Sequence, residues 1–192
     1  MSSKRNPGPE YPDLIELAEW HEANIASLKI YKERVFEATV NPSLTILSKF
    51  RGLQDEEIHE TFDLIEDEVK KLFQFSILSV TEGNIRKDFF DRINDAANKD
   101  TVSKKYRKLY DKAGSPEKAR VIKLQSLLDI WKLTFTAQKT KDKIGQYKTN
   151  LHFRHWMAHG RYYPLGFHAN YEPRKIAREC EEIIRMIAQT KI

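Results

Sequence analysis

From Asp55 to Ile77 the apolar residues Ile58, Phe62, Ile65, Val69, Leu72, Phe73 and Ile77 recur every three or four positions, the period of one helix face. Glu56, Glu57, Glu60, Asp63 and Glu66 to Glu68 crowd the opposite side. A stripe of this length commits the chain to a helix that buries one side against another helix. The upstream run Leu14, Leu17, Ala18, Ile25, Leu28, Val35 and Phe36 supplies that partner. Pro12 suits its first turn, Asp13 and Glu16 suit the positive end of its dipole, and Asn41-Pro42 stops it. The expected centrepiece is a long antiparallel pair over residues 12–39 and 55–80.

Gly83 is expected to bend or end the second helix, after which Ile85, Phe89, Phe90 and Ile93 resume a helical pattern. Residues 98–116 read as a connection holding a short basic helix, KKYRKLYDK. Ser115-Pro116-Glu117 starts another helix, with Val121, Leu124, Leu128, Trp131 and Phe135 inward. Residues 138–150 are basic and polar with no clear boundary. A helix then carries LHFRHWMAHG, with Gly160 as its cap, and Pro173 opens a last helix with Ile176, Cys180, Ile183, Ile184 and Ile187 inward. Gly and Pro number only seven each, and strand signals and internal repeats are absent. The fold class is therefore all-α: an antiparallel helical bundle with a long helix pair and shorter C-terminal helices. It forms one domain over residues 12–192 behind a flexible tail, 1–11.

The polar start has no apolar core of a secretory signal, and no apolar run spans a bilayer, so a cytoplasmic protein with no membrane partner is expected. A lone cysteine, Cys180, permits no internal disulfide. Charge is unevenly spread. Residues 1–100 hold 13 Lys+Arg against 20 Asp+Glu, a balance of −7, and residues 101–192 hold 20 against 8, a balance of +12. The basic half suggests a polyanionic partner, most simply nucleic acid, although an acidic half packed on a basic half would give the same count.

Half of the six histidines fall in residues 151–163, LHFRHWMAHGRYY. His152, His155 and His159 lie within about 60° on a helix. Zinc is one reading, but no acidic residue lies between 143 and 171 and there is no HExxH, so no metal is assigned. A polar seam flanked by the buried Phe153, Trp156 and Met157 is a second. A third pairs Arg154 with His159 as Arg-x4-His. Loosened to Arg-x4–6-His the pattern is cheap in a chain with twelve arginines and six histidines, and Arg161 with His168 also fits it, at x6. Only the first pair lies on a predicted helix, with polar His155 after the arginine and Ala158 before the histidine.

The stretch RHWMAHG resembles the signature of HEPN domains, all-α dimeric proteins of which many are metal-independent ribonucleases. The architecture of HEPN type would span residues 12–190, but only 151–163 carry specific residues. The resemblance implies a homodimeric endoribonuclease acting on RNA without a cofactor. It also implies a setting as a toxin, with an antitoxin protein as a further candidate partner, or as an anti-phage or stress effector. Arg154 and His159 are its catalytic candidates. His155 either orients the phosphate beside them or is a packing histidine. Tyr162, Lys148 and Glu82 are candidate RNA contacts. Tyr162 follows the motif closely, though the position where some toxin members carry a modified tyrosine is Arg161 here. Glu82, in SVTEGNIR, resembles the family's acidic position on an earlier helix but reads more simply as an exposed helix-end residue. Lys139, Lys141, Lys143 and Lys148 could guide a backbone or form a solvated charge run.

The chemistry is consistent with those residue types. RNA carries its own nucleophile, the 2′-OH, and cleavage needs a base, an acid and a stabiliser of the phosphorane oxygens. Histidine suits both proton roles, and arginine offers a bidentate fork. Arg154 and His159 lie about 140° apart on a helix, so one helix cannot aim both at one phosphate. In the family, motif helices from two protomers line one cleft. The alternatives are a non-catalytic module of HEPN type that binds nucleotide, RNA or protein, and a His-metal hydrolase.

Overall fold

The structure is a computed structural model and describes residues 13–41, 43–46, 48–161 and 172–190. The expected 1–11 tail, Pro12, Pro42, Tyr162 and His168 lie outside those residues. Among the described residues there are seven α-helices and no strand: α1 (Leu14–Val40), α2 (Asp55–Asn94), α3 (Thr101–Ala113), α4 (Pro116–Arg120), α5 (Leu124–Thr134), α6 (Gln138–Ala158) and α7 (Pro173–Gln189). A 3-10 turn, Ser48–Phe50, precedes α2. None of these helices is long and apolar enough to cross a membrane.

The expected pair is antiparallel. Phe36 meets His59 at 4.7 Å between ring centroids, Tyr31 meets Phe62 at 5.9 Å, and His21 stacks on Phe73 at 4.2 Å. Asp13 caps the start of α1. Its carboxylate accepts from the Glu16 amide, and the Glu16 carboxylate accepts from the Asp13 amide, a reciprocal cap. The second helix departs from expectation, because α2 passes unbroken through Gly83 to Asn94. Glycine costs a helix interior only about 1 kcal/mol. Thr81, Ile85 and Phe89 are buried on either side of it, and their packing outweighs that. Leu72, expected inward, is 45% exposed.

The helix predicted from Ser115 is two helices. Ser115 caps α4 as expected, accepting from the Lys118 amide, but α4 ends at Arg120 and α5 starts at Leu124. Val121 therefore points outward, 78% exposed. The break is held from outside: Arg86 of α2 donates through Nη1 to the carbonyls of Arg120 and Ile122 at 3.3 and 3.1 Å. The Arg120 carbonyl is one that an ending helix leaves without an internal partner, and the Ile122 carbonyl lies in the turn between the two helices.

Two hydrophobic cores result. The larger joins α2, α3, α5, α6 and α7 around Ile77, Phe89, Tyr106, Trp131, Phe153 and Ile183. Ile176, Cys180 and Ile187 of α7 are buried in it as expected, while Ile184 is half-buried. Burial pushes the Cys180 thiol up to about 12. A smaller cluster, Val35, Phe50, Ile58 and Phe62, holds the far end of the α1–α2 hairpin.

One arginine lies inside the larger core. Arg92 is 1% exposed, and its Nε donates to both oxygens of Asp88 at 2.9 Å. Its Nη1 donates to Asp100 at 2.8 Å and to Ser103 Oγ, and its Nη2 donates to Thr190 Oγ1 at 3.1 Å. The guanidinium also lies 4.9 Å from the Trp131 ring. Asp100 in turn caps α3, accepting from the amides of Val102 and Ser103. Arg92 thus ties α2 to the start of α3 and the end of α7.

Candidate active site

The motif stretch occupies the last two turns of α6. The basic segment before it, for which the sequence showed no boundary, is the first half of the same helix, which begins at Gln138. Tyr147 and Phe153 anchor α6 in the core. The Tyr147 hydroxyl donates to the Leu78 carbonyl of α2 at 3.3 Å, and burial pushes its phenol well above the ordinary value. The helix ends in a Schellman turn. The Arg161 amide donates to the Trp156 carbonyl at 3.1 Å, the Gly160 amide to Met157 at 3.4 Å, and Gly160 takes φ +77°. His159 is the last half-helical residue, and Gly160 follows it in the left-handed position.

α2, α5 and α6 enclose an open cleft of about 500 Å³. Five residues singled out from sequence line it: Arg154, His155, His152, Lys148 and Glu82. Glu82 is not the exposed helix-end residue expected from sequence. It lies in the middle of α2, its side chain is 13% exposed, and it accepts from two arginines. Arg154 Nη2 reaches its Oε2 at 2.9 Å, and Arg86 Nε reaches its Oε1 at 2.8 Å. The Arg154 Nε–H is buried without a hydrogen-bond partner, a state that costs about 1–3 kcal/mol. Lys148 pairs with Asp129 of α5 at 2.7 Å.

His159 does not line this cleft. It is exposed at the end of α6, with its ring 4.1 Å from that of His155 and tilted 55° to it. His155 is therefore an exposed residue between cleft and helix end, not a packed histidine. The angular divergence of Arg154 and His159 thus persists in the structure. Lys139, Lys141 and Lys143 lie outside the cleft lining, and Lys143 pairs with Glu182 of α7 at 3.0 Å. Among the described residues no group of three or more His, Cys, Asp or Glu side chains is gathered to hold a metal ion.

Sequence reasoning misses Arg86, Lys123 and Gln125, which also line the cleft. Arg86 has a usable signal, its i+4 spacing from Glu82. Lys123 and Gln125 have none, because the turn that presents them carries the periodicity of a continuous helix. Arg161, in sequence only half of a chance match, folds back over Trp156 and reaches Glu68. No protein-family model, no curated protein and no solved structure matches the chain significantly.

Proposed function

We propose that the chain is a HEPN-type, metal-independent endoribonuclease whose composite site forms in a homodimer. The observation that carries this reading is the side-chain set at the cleft. Arg154, with an unmatched N–H, adjoins His155 and faces Glu82, which resembles the family's acidic position. A phosphate that draws the guanidinium away from Glu82 gives that N–H a partner. His155 and Lys148 supply further contacts to the RNA, and His159 serves as base or acid toward the 2′-OH and the 5′ oxygen. A second copy brings a second His159, so that one acts as base and the other as acid. The exposed Leu64 and Leu72 flank Glu68 on the α2 face to which Arg161 at the end of α6 is tied, a natural apolar contact for that second copy. A toxin or defence role, with or without an antitoxin, rests on the resemblance alone, and a cytoplasmic setting on the absence of a secretory signal in the sequence.

Wild type and His159→Ala, expressed side by side in a heterologous host, test this reading. Growth arrest with RNA decay is expected for the wild type only. Purified wild type should cleave RNA in EDTA to 2′,3′-cyclic phosphate and 5′-OH ends, and should sediment as a dimer. A strictly monomeric species that still cleaves RNA would rule out the composite site. The Arg154–Glu82 ion pair favours a second reading, a binding module of the same fold, since a guanidinium already paired with a carboxylate stabilises phosphorane oxygens less. Salt-sensitive RNA binding with no cleavage by the wild type would select it.

A further inference from the structure

The residue after the Schellman glycine adopts an unusual backbone. Arg161 has φ +58°, the one non-glycine residue with positive φ among those described. L-residues with a Cβ seldom adopt this region unless their surroundings hold them there. Two interactions do so. Arg161 Nη1 donates to both oxygens of Glu68 at 2.7 and 2.6 Å, and the guanidinium lies 5.5 Å from the Trp156 ring. Glu68 belongs to α2, and Trp156 lies one turn back on α6. The arginine thus closes the end of α6 on itself and fastens it to the neighbouring helix.

We infer that Glu68 and Arg161 form a latch that positions His159, by fixing the chain two residues beyond it to α2. The inference rests on the reading of His159 as the proton-transfer residue, but the latch itself does not. His159 has little else to hold it. It is exposed, its amide donates to the His155 carbonyl at 3.0 Å, and its ring touches His155. Phe153 is the last fully buried anchor of α6. Beyond it, the half-buried Trp156 and Met157 and the latch oppose fraying of the final turn. The Arg161 bond also holds the Glu68 carboxyl below its ordinary range, as expected if the ionised form is the one engaged. Both are positioning residues and neither need touch RNA.

Amide hydrogen exchange and the histidine ring NMR signals of the full chain test the latch without reference to activity. In Arg161→Ala, exchange at the backbone amides of positions 160 and 161 should quicken roughly tenfold, the scale of removing an ion pair together with a cation–π interaction, and in Glu68→Gln, which keeps the contact with Trp156, it should quicken by a smaller factor. The His159 ring signals should move while those of His152 stay. Arg161→Lys should restore most of the protection. Arg161→Gly separates the latch from backbone strain, since glycine accepts φ +58° freely but cannot reach Glu68. Fast exchange in that variant supports the latch, and wild-type exchange overturns it. In RNA cleavage, Glu68→Gln should lower kcat and leave KM near wild type. A raised KM with unchanged exchange would make Arg161 an RNA-binding residue and overturn the positioning role. Absence of cleavage by the wild type would remove the ribonuclease reading, yet leave the exchange result to judge the latch.

Discussion

Arg92 and Arg154 each join a carboxylate on α2 to other parts of the fold, but they are held in opposite ways. Every nitrogen of Arg92 has a partner, and the group is sealed from water. Arg154 is 33% exposed beside an open cleft, shares its single carboxylate with Arg86, and keeps its buried Nε–H unmatched. A closed set of partners leaves nothing for a ligand to improve. An incomplete set beside open space does, because an incoming anion gains interactions that the protein itself does not supply. By this contrast Arg92 is held as a structural residue and Arg154 is left as the one we propose to bind an anion, although in sequence both look like arginines on helices.

The contrast breaks most visibly by truncation. Arg92→Ala leaves Asp88 buried without its main counter-charge and should cost about 3–5 kcal/mol in a urea unfolding experiment. Arg154→Ala should leave unfolding within about 1 kcal/mol of wild type, the scale of a partly exposed pair. It should instead reduce RNA cleavage on the order of 10²-fold or more, with partial recovery in Arg154→Lys, which offers a point charge without the fork. Loss of stability in Arg154→Ala comparable to that in Arg92→Ala would erase the distinction.

Arg161 stands between the two, and pH addresses its partner. The folded pKa of Glu68 lies below its ordinary 4.5, with the hydrogen bond from Arg161 as the largest lowering cause and Lys71 also facing it. A lowered carboxylate contributes in full above its unfolded pKa and loses that contribution as pH falls through the folded one. Amide protection at Gly160 should therefore hold from neutrality to about pH 4.5 and fall below it, and Glu68→Gln should show no such step. The smallest effect belongs to the cleft rim. Lys148→Ala should weaken RNA binding similarly across sequences and reduce the log–log salt slope by about 0.7, one phosphate contact on a single strand. An unchanged slope would leave Lys148 to its pairing with Asp129.

What is legible in the sequence follows the range of the forces involved. Helix existence comes through, because periodic burial repeats its signal every turn: Ile58, Phe62, Phe73 and Ile77 are all buried. Breaks come through only where a local residue makes them, as at Asn41 and Ser115. Gly83 misleads because its local cost is small beside the packing around it. The break after Arg120 is invisible because the group that stabilises it, Arg86, comes from another helix. The site divides in the same way. Arg154, His155 and His159 sit on one helix and can be read together. The pairing of Arg154 with Glu82 and the bond between Arg161 and Glu68 join residues far apart in the chain, and no local pattern announces either.

The 40 residues of α2 extend about 60 Å, from the small cluster at the hairpin tip past the cleft wall to the buried Arg92. The tip carries its own apolar residues, while Glu68, Glu82 and Arg92 lie further along the same rod. Removing or adding two matched turns in α1 and α2 on the tip side of Glu68 would therefore change the reach of the molecule without disturbing the spacing of those three side chains. Such a chain could diversify in length at one end while its chemistry is inherited unchanged at the other.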